Sequence, residues 1–360
     1  MDEIIKTRLA DFTLAELDEW LRQNGLVGPA GKTGKHDYRS AQIFKWLGRG
    51  AATFAEMTDI PLNLRASLSE RAVTGIPQIV GEARSERDGT VKYAMRTSGG
   101  GIVESVLMSY RHGYSVCVSS QAGCRMGCTF CATKPGSFTG SLSPGEMYGQ
   151  VAAIAYNAAQ DRIGHVVVMG VGEPFDNYDN TLKFVRLLHE HQGTSISFRK
   201  ITISTCGILS GILRLAEEGL PVGLSVSLHA PNDALRSRLM PVNRSCSIDK
   251  LLEGCKIYTY KTKRRVTFEY ALIDGVNDAP DDAYELLRKI RGMLCHVNII
   301  PVNKTENSGH LGYLPSPRES VRRFVAILAE GGAQATVRRT LGTDIAAACG
   351  QLRNKAYETG

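Results

Sequence analysis

The second part of the chain alternates short apolar segments with helical patterns, and this alternation constrains the fold more than any other feature. The apolar segments are SVCVSS, HVVVMG, KITIST, VGLSVSLH, RVTFEYALI and HVNIIPVN. The helical patterns between and after them are GEMYGQVAAIAYNA, NTLKFVRLLHEH, ILSGILRLAEEG, IDKLLEGCKIYTY, DAYELLRKIRGM and SVRRFVAILAEGG. Six strand–helix units in series predict an α/β fold with a parallel sheet, either open or curved into a partial barrel. In both arrangements ligands bind at the carboxyl ends of the strands.

The residues before this region follow other patterns. Residues 1–75 contain three segments with apolar residues at helical spacing, TLAELDEWLRQNGL, SAQIFKWLGRG and LNLRASLSERAV, and Thr13 is a candidate N-cap. Residues 76–114 contain the alternating runs VKYAMRT and GIVESVLMS, which predict a small antiparallel β segment. We therefore expect a helical N-terminal domain (1–75), a β-rich connecting segment (76–114), the α/β unit (115–335) and a C-terminal segment (336–360).

The composition is that of a globular protein. Of the 360 residues, 43% are hydrophobic and 22% are charged, which excludes a largely disordered, collagen-like or disulfide-scaffold chain. No apolar run approaches the roughly 20 residues that span a bilayer, and the N-terminal MDEIIKTRLADF lacks the pattern of a secretory signal. We therefore expect a cytoplasmic protein that does not contact a membrane. The net charge of +7 permits a nucleic-acid partner without demonstrating one.

Three of the nine cysteines are closely spaced. In a cytoplasmic chain, cysteines favour metal binding or catalysis over structural disulfides. Cys124, Cys128 and Cys131 have the spacing C-x3-C-x2-C, and three thiolates on one short loop can ligate three corners of a cubane iron–sulfur cluster. The fourth iron is then open to a substrate. The alternative is a zinc site that uses Cys117 as fourth ligand, although zinc sites usually combine two C-x2-C pairs and the chain has no second pair.

This cysteine loop and the GVGEP segment resemble radical S-adenosylmethionine enzymes. The resemblance implies a partial (β/α)6 barrel and one [4Fe-4S] cluster per chain, held by the three cysteines. It also implies that the open iron binds the amino and carboxylate groups of S-adenosylmethionine (SAM). An electron then cleaves the sulfonium and releases a 5′-deoxyadenosyl radical. Gly172 and Glu173 occupy the positions that contact the methionine amino group in this family.

Further motifs narrow the resemblance to the RlmN/Cfr family of RNA adenine methyltransferases. The matching segments, between about Arg39 and Arg353, are CVSSQAGCRMGCTFCAT, MGVGEP, STCGI, SVSLHAPND, RSRLMPVNRSCSID, ALIDGVND and RRTLGTDIAAACGQLR. GEP rather than GEA favours the RlmN side, which methylates carbon 2 of adenine. The alternatives are methylation of carbon 8, as on the Cfr side, and a non-catalytic, metal-stabilised RNA-binding protein.

The family resemblance also implies roles for two isolated cysteines and one carboxylate. Cys349 takes a methyl group from one SAM molecule, and a second SAM molecule supplies the radical that removes a hydrogen atom from that S-methyl group. The methylene radical adds to the adenine ring, and Glu104 accepts the ring proton. Cys117 then attacks the sulfur of Cys349, so that the product leaves and a transient disulfide remains. Each turnover uses two SAM molecules.

By the same resemblance, further residues line the SAM pocket. These are Ser204, Ser227, Leu228, His229 and Asn303. The remaining cysteines are expected to be packing residues: Cys206, Cys246, Cys255 and Cys295.

The family resemblance implies RNA as the partner. The implied substrate is 23S ribosomal RNA near the peptidyl-transferase centre, with adenosine in a tRNA anticodon loop as a further candidate. Because the target base must leave its stack, the protein has to hold the flanking phosphates. The basic residues of HDYRSAQIFKWLGRG and LRASLSERAV are candidates for that contact. An electron donor such as flavodoxin or ferredoxin is implied as well, and we expect a monomer.

Overall fold

The fold is given by a computed structural model, which describes residues 6–28, 36–111, 113–133, 136–158, 163–303, 305 and 311–352. The end of the expected C-terminal segment, residues 353–360, lies outside these ranges.

The three helices expected near the N-terminus are present. They are α1 (Leu14–Gln23), α2 (Tyr38–Gly48) and α3 (Leu62–Arg71). Thr13 caps α1 as expected, because its hydroxyl accepts from the backbone N–H of Glu16 at 3.3 Å while the Glu16 carboxylate accepts from the N–H of Thr13 at 2.7 Å. This reciprocal pair satisfies two N–H groups that the helix itself cannot. Two short strands, β1 (Thr7–Arg8) and β2 (Ala72–Val73), pair in parallel beside these helices.

The N-terminal helices share one hydrophobic core with the α/β unit. Leu17 and Ile43 belong to the same buried cluster as Met147 of helix α4 (Pro144–Asn157). The approach is close, since a Cβ added at Gly145 would lie 2.6 Å from the backbone of Ala10. Removing the first 75 residues would therefore expose one face of α4. The boundary at residue 75 stays a prediction, and tests of the N-terminal region are better made by surface substitutions than by truncation.

Within the described residues, ten strands form one mixed sheet. In chain order they are β3 (Gln78–Arg84), β4 (Val91–Arg96), β5 (Ile102–Tyr110), β6 (Gly113–Val118), β9 (Ile163–Val168), β10 (Ile201–Thr205), β11 (Gly223–Ser227), β12 (Val266–Leu272), β13 (Cys295–Pro301) and β14 (Ala335–Val337). Between β6 and β9, the short strands β7 (Gln121–Ala122) and β8 (Gly140–Ser141) form a separate antiparallel pair.

The spatial order of the sheet is β14-β13-β12-β11-β10-β9-β6-β5-β4-β3. All pairs from β6 to β14 are parallel, and they include the six strands predicted from the apolar segments. The expected antiparallel segment is present as β3, β4 and β5, but it continues the main sheet because β5 pairs with β6. Two strands of this sheet were not predicted: β3, and β14, which has only three residues.

Helices follow the parallel strands as the sequence pattern predicts. They are α5 (Tyr178–His189), α6 (Leu209–Glu217), α7 (Asp233–Leu239), α8 (Ile248–Thr262), α9 (Pro280–Ile290) and α10 (Arg318–Glu330). Only α7 was missed, because seven residues with three charged side chains carry no apolar periodicity. None of the helices in the described parts of the chain has the length and apolar character that crossing a bilayer requires.

Candidate active site

One cavity opens at the carboxyl ends of the parallel strands and collects most of the residues expected to act. It is lined by residues from β5 and β6, from the ends of β9 to β13, and from the segment after β14. The expected site residues that line it are Cys117, Cys124, Cys128, Cys131, Gly172, Glu173, Ser204, Ser227, His229, Asn303 and Cys349. Two expected residues, Glu104 and Leu228, are buried and do not line it.

The loop with the three cysteines is fixed by close backbone contacts. Gly123 has a φ of +85°, and a Cβ at this position would lie 2.1 Å from the carbonyl oxygen of Ser137, so only glycine fits before Cys124. Farther along, the N–H of Thr129 donates to the carbonyl of Leu239 at the end of α7, at 3.0 Å. The loop is therefore fixed at Gly123, just before the first cysteine, and at Thr129, between Cys128 and Cys131.

The thiols of this loop suit a metal centre. All nine cysteines lie in described residues, and none forms a disulfide. Burial raises the pKa of Cys124 to about 11. Burial also raises the pKa of Cys128, and Cys131 and Cys124 raise it further. All three cysteines line the same cavity. Such buried thiols ionise readily only beside a cation, and thiolate is the ligand that iron–sulfur clusters use. The donor set therefore fits a cluster with three cysteine ligands.

The zinc alternative finds no support in the side-chain positions. Among the residues that the structure describes, no three His, Cys, Asp or Glu side chains are arranged to hold a single metal ion. Cys117 lies on strand β6, in a small apolar cluster with Val106, Ala347 and Leu352. It is therefore part of a different set of contacts from the three-cysteine loop.

Gly172 and Glu173 connect the ends of β9 and β10. Gly172 has a φ of +107°, and a Cβ there would lie 2.6 Å from Gln121, so the turn requires glycine. The buried Glu173 carboxylate accepts from the hydroxyl of Thr205 at 2.7 Å, and from the N–H groups of Cys206 at 2.7 Å and Phe175 at 2.9 Å. Burial raises the pKa of Glu173, and these hydrogen bonds oppose the increase. Glu173 thus has a structural function within the cavity wall.

His229 presents a defined hydrogen-bond donor to the cavity. Its Nδ1 accepts from the N–H of Ala271 at 2.8 Å. Burial, with a smaller effect of Arg236, lowers the pKa of His229 to about 3, so the ring is neutral at pH 7 and its proton is on Nε2. The ring packs edge-on against Phe130, with centroids 4.7 Å apart. The neighbouring Leu228 points into the hydrophobic core instead.

Cys117 and Cys349 reach the cavity from two different elements. Burial and the nearby Cys349 raise the pKa of Cys117 to about 12, although Arg338 lowers it in part. Cys349 is on the segment after β14, whose position is fixed at two points. The side-chain amide of Asn303 donates to the carbonyl of Cys349 at 3.0 Å, and the N–H of Ala132 donates to the carbonyl of Gly350 at 2.7 Å. The segment thus joins the cysteine loop to the end of β13.

Glu104 lies beside the cavity rather than in its wall. Its carboxylate is 3.2 Å from the ammonium of Lys92, and both side chains are buried. Lys92 also donates to the carbonyl of Ala346 at 3.1 Å, three residues before Cys349. Along β5, Glu104 shares one face with Val106, which lines the cavity and lies opposite Cys117 in the sheet register.

Three residues that the sequence analysis missed also line the cavity. Cys206 packs in a hydrophobic cluster with Leu239 and Met240, and it also reaches the cavity beside Glu173. Glu269 and Arg338 face each other, with Oε2 and Nη1 3.7 Å apart. The sequence held a signal for Glu269, because it is a single charged residue within the apolar segment RVTFEYALI. Arg338 is the first residue of the family-matching segment RRTLGTDIAAACGQLR, which gave it no separate role.

Family models match two parts of the chain. The model of the radical SAM superfamily matches residues 118–287, which include β9 to β12 and the three-cysteine loop. The model described as the ribosomal RNA large subunit methyltransferase N-terminal domain matches residues 7–74. The two matches correspond to the α/β unit and to the helical N-terminal region.

Full-length relatives give the same result. A protein of Thermoanaerobacter sp. (strain X514) named probable dual-specificity RNA methyltransferase RlmN is 45% identical over 348 residues, 96% of this chain and 98% of the relative. A protein of the same name from Pelotomaculum thermopropionicum is 47% identical, over 99% of this chain and 94% of the relative. The crystal structure of a radical SAM methyltransferase from Sphaerobacter thermophilus superposes with a TM-score of 0.90 at 45% identity, covering 97% of this chain and all of that one. The chain therefore belongs to the RlmN family of radical SAM RNA methyltransferases.

Proposed function

We propose that this protein methylates carbon 2 of an adenosine in 23S ribosomal RNA through an S-methylcysteine intermediate. The observation that carries the proposal is the common cavity of two sets of thiols. Cys117 on the interior strand β6 and Cys349 on the segment after β14 line the same cavity as the three-cysteine loop. Carbon 2 of adenine is not nucleophilic, so a methyl group cannot be transferred to it by simple displacement. The separate pair Cys117 and Cys349 permits a different reaction, in which the methyl group is first carried by a cysteine.

The cluster and SAM would be held at the carboxyl ends of the strands. Cys124, Cys128 and Cys131 are the proposed cluster ligands. The proposed SAM contacts are Gly172, Glu173, Ser204, Ser227, His229 and Asn303, with Leu228 contributing through its backbone. Bound there, the cluster and SAM supply the 5′-deoxyadenosyl radical that removes one hydrogen atom from a methyl group. The Nε2–H of His229 and the side chain of Ser227 orient SAM by hydrogen bonds.

In the first half of the reaction, the thiolate of Cys349 accepts a methyl group from the sulfonium of one SAM molecule. A carbon–sulfur bond forms at Cys349 as the bond to the sulfonium breaks, and the thiol proton goes to solvent. After loss of one hydrogen atom, the methylene carbon on Cys349 adds to adenine carbon 2. The adduct then gives one electron to a one-electron acceptor and its ring proton to Glu104, since a carboxylate is a suitable base.

In the second half, the thiolate of Cys117 attacks the sulfur of Cys349. A disulfide forms, and the bond between the Cys349 sulfur and the methylene carbon breaks with its electron pair on carbon. That carbon takes a proton and becomes the methyl group of the product. A dithiol reductant then opens the disulfide before the next turnover.

The pH dependence of product release should follow the ionisation of Cys117. Because burial raises its pKa to about 12, the thiolate fraction increases about tenfold for each pH unit up to that value. We therefore expect release from the protein–RNA adduct to accelerate about tenfold between pH 7 and pH 8. Rapid-quench gels of a single turnover measure this rate. Adduct formation by Cys117→Ala over the same range is the control, and a flat release profile would contradict thiolate attack as the limiting step.

The N-terminal helices are the proposed contact for RNA phosphates. Lys45 and Arg49 are exposed on and just after α2, and Arg49 lies over the ring of Trp46, 5.6 Å from its centroid. Exposed cations beside an aromatic ring suit phosphates that flank an unstacked base. The substrate is 23S ribosomal RNA, and adenosine in a tRNA anticodon loop is the second substrate that we propose. We also propose a monomer that receives electrons from a flavodoxin or ferredoxin.

Reversing charge on α2 should weaken RNA binding without affecting the cluster. For Lys45→Glu with Arg49→Glu, we expect about a tenfold weaker affinity and a shallower dependence of log K on log salt, since phosphate contacts are lost. Filter binding over a salt series measures both. The matched control is Lys256→Glu with Lys263→Glu on the outer side of α8, where both lysines are exposed. Equal losses in the two double variants would mean that only net charge matters.

Nucleoside analysis tests the proposed product. Ribosomal RNA from cells lacking the gene is incubated anaerobically with the reconstituted protein, SAM and a reductant, and then digested for mass spectrometry. We expect 2-methyladenosine. The product 8-methyladenosine would contradict methylation at carbon 2, and an unmodified digest from protein with a full cluster would contradict the proposed function.

A further inference from the structure

Glu269 presents a buried acceptor to the active-site cavity. It lies in the middle of β12 and is 4% exposed. One carboxylate oxygen, Oε1, accepts from the hydroxyl of Ser225 at 2.8 Å and from the amide of Asn298 at 3.2 Å. The other, Oε2, is buried and has no hydrogen-bond partner among the described residues. Leaving a buried carboxylate oxygen unpaired is costly, so an acceptor of this kind points to a missing donor.

Arg338 places a cation next to this acceptor without satisfying it. Its Nη1 is 3.7 Å from Oε2, too far for a hydrogen bond, and instead donates to the sulfur of Met169 at 3.6 Å. The position is fixed, because the N–H of Arg338 donates to the carbonyl of Ile299 at 2.8 Å. Cys349, whose charge is the main cause that raises the pKa of Arg338, lines the same cavity. An open acceptor and a donor thus lie side by side in the cavity wall.

We propose that Glu269 and Arg338 recognise the target adenine by its N6–N7 edge. Adenine presents on this edge an amino donor at N6 and an acceptor at N7. The Oε2 of Glu269 accepts from the N6 amino group, and the guanidinium of Arg338 donates to N7. This inference rests on the proposed function, because it assumes that the flipped adenosine enters the cavity beside Cys349.

The same edge explains the choice of base and of carbon. Guanine carries an acceptor oxygen at position 6, which would face the carboxylate of Glu269 and be repelled. Carbon 2 lies on the opposite side of the purine from N6 and N7, so neither Glu269 nor Arg338 covers it in this arrangement. Carbon 8 is adjacent to N7 and would be crowded by Arg338. The pair therefore selects both adenine and methylation at carbon 2.

SAM also contains an adenine. The experiment must therefore distinguish binding of the target adenine of the RNA from binding of the adenine of SAM. The full-length, cluster-loaded protein is assayed on RNA oligonucleotides that carry adenosine, purine riboside or 7-deazaadenosine at the target position. Purine riboside lacks the 6-amino group, and 7-deazaadenosine lacks the N7 acceptor. The protein variants are Glu269→Gln and Arg338→Met, with the exposed Glu253→Gln on α8 as matched control. Cluster absorbance and SAM cleavage without RNA show whether each variant is folded and loaded.

In each variant, removing the purine group that its altered side chain no longer contacts should have little further effect on kcat/KM. With adenosine RNA, Glu269→Gln should lower kcat/KM about 10- to 100-fold, and the same loss should follow from purine riboside in the parent protein. The two changes together should cost little more than one alone, because they remove the same hydrogen bond. Arg338→Met should behave in the same way toward 7-deazaadenosine. Glu253→Gln should retain the parent's preference for adenosine.

Two results would overturn the inference. One is independence of the two changes, in which the fold-losses in kcat/KM caused by Glu269→Gln and by removal of the 6-amino group multiply. The other is a weaker affinity for SAM in Glu269→Gln, measured by equilibrium binding without RNA, together with an unchanged preference for adenosine RNA; the pair would then hold the adenine of SAM. Either result with 2-methyladenosine still formed leaves the proposed function intact. An 8-methyladenosine product in the parent protein would instead contradict the proposed function itself.

Discussion

Replacing any one of Cys124, Cys128 and Cys131 with alanine should remove most of the iron and the brown colour of the anaerobically reconstituted protein. In the proposed function each thiol holds one corner of the cluster, so removing one of the three in this loop leaves two irons without a protein ligand. Iron and sulfide analysis should fall from about four of each per chain to less than about one. SAM cleavage, measured as 5′-deoxyadenosine, should disappear with the iron.

Two other cysteines provide controls for this loss. Cys255 is buried in α8 and does not line the cavity, so Cys255→Ala should keep the full iron content. Cys206→Ser is the sharper control, because this residue lies in the cavity beside Cys128. It should also keep the cluster if the three-cysteine loop supplies all protein ligands. A loop variant that holds a full cluster and cleaves SAM would remove that cysteine from the proposed ligand set.

The strands and helices that the sequence predicted are those with strong periodicity. The six predicted parallel strands are short segments rich in Val and Ile, and in β10 the apolar Ile201 and Ile203 are buried in alternation. Helices such as α8 have enough turns for an apolar face to be recognised in the sequence. Helix α7 was missed for a different reason. Its Arg236 is fully buried and donates to the carbonyls of Cys206, Ser227 and Leu228, which join the ends of β10 and β11. A charged residue with a core position gives the opposite of an apolar signal.

The site was predictable where its residues are close in the sequence. The three-cysteine loop is such a case, since its spacing alone indicates the chemistry. The contact of Lys92 with Glu104, and that of Arg338 with Glu269, depend on which strands pair and how the sheet curves. These contacts join residues that are distant along the chain, so no local pattern reports them.

At the end of β11, the alternation of side-chain directions accounts for the position of Leu228. Side chains along an extended segment point to opposite sides in turn. Since Ser227 and His229 line the cavity, the side chain of Leu228 between them must point into the core, as the structure shows. Strand periodicity applied to this segment would have left Leu228 with a backbone role only.

The thiol chemistry leads to the largest expected effect on the product. Cys117→Ala should keep the cluster, the methylation of Cys349 and radical formation, because none of these steps uses the Cys117 thiol. Release should fail, since nothing attacks the sulfur of Cys349, and we expect turnover to be lost while the protein stays covalently joined to its RNA. Mass spectrometry of the isolated protein measures the methyl group on Cys349. A denaturing gel detects the protein–RNA adduct as a band that migrates more slowly than the free protein. Nuclease treatment should shorten its RNA and make the band migrate faster.

Cys349→Ala is the matched variant, because it removes the other member of the pair. It should show neither the methyl group nor the adduct, and it should keep the iron content of the parent. The contrast between the two variants separates this mechanism from ordinary methyl transfer, in which neither thiol would matter and no covalent species would form. Burial of Cys117 among Val106, Ala347 and Leu352 also permits a purely structural role. Free turnover by Cys117→Ala at the rate of the parent would establish that structural role, and it would require another nucleophile to release the product from Cys349.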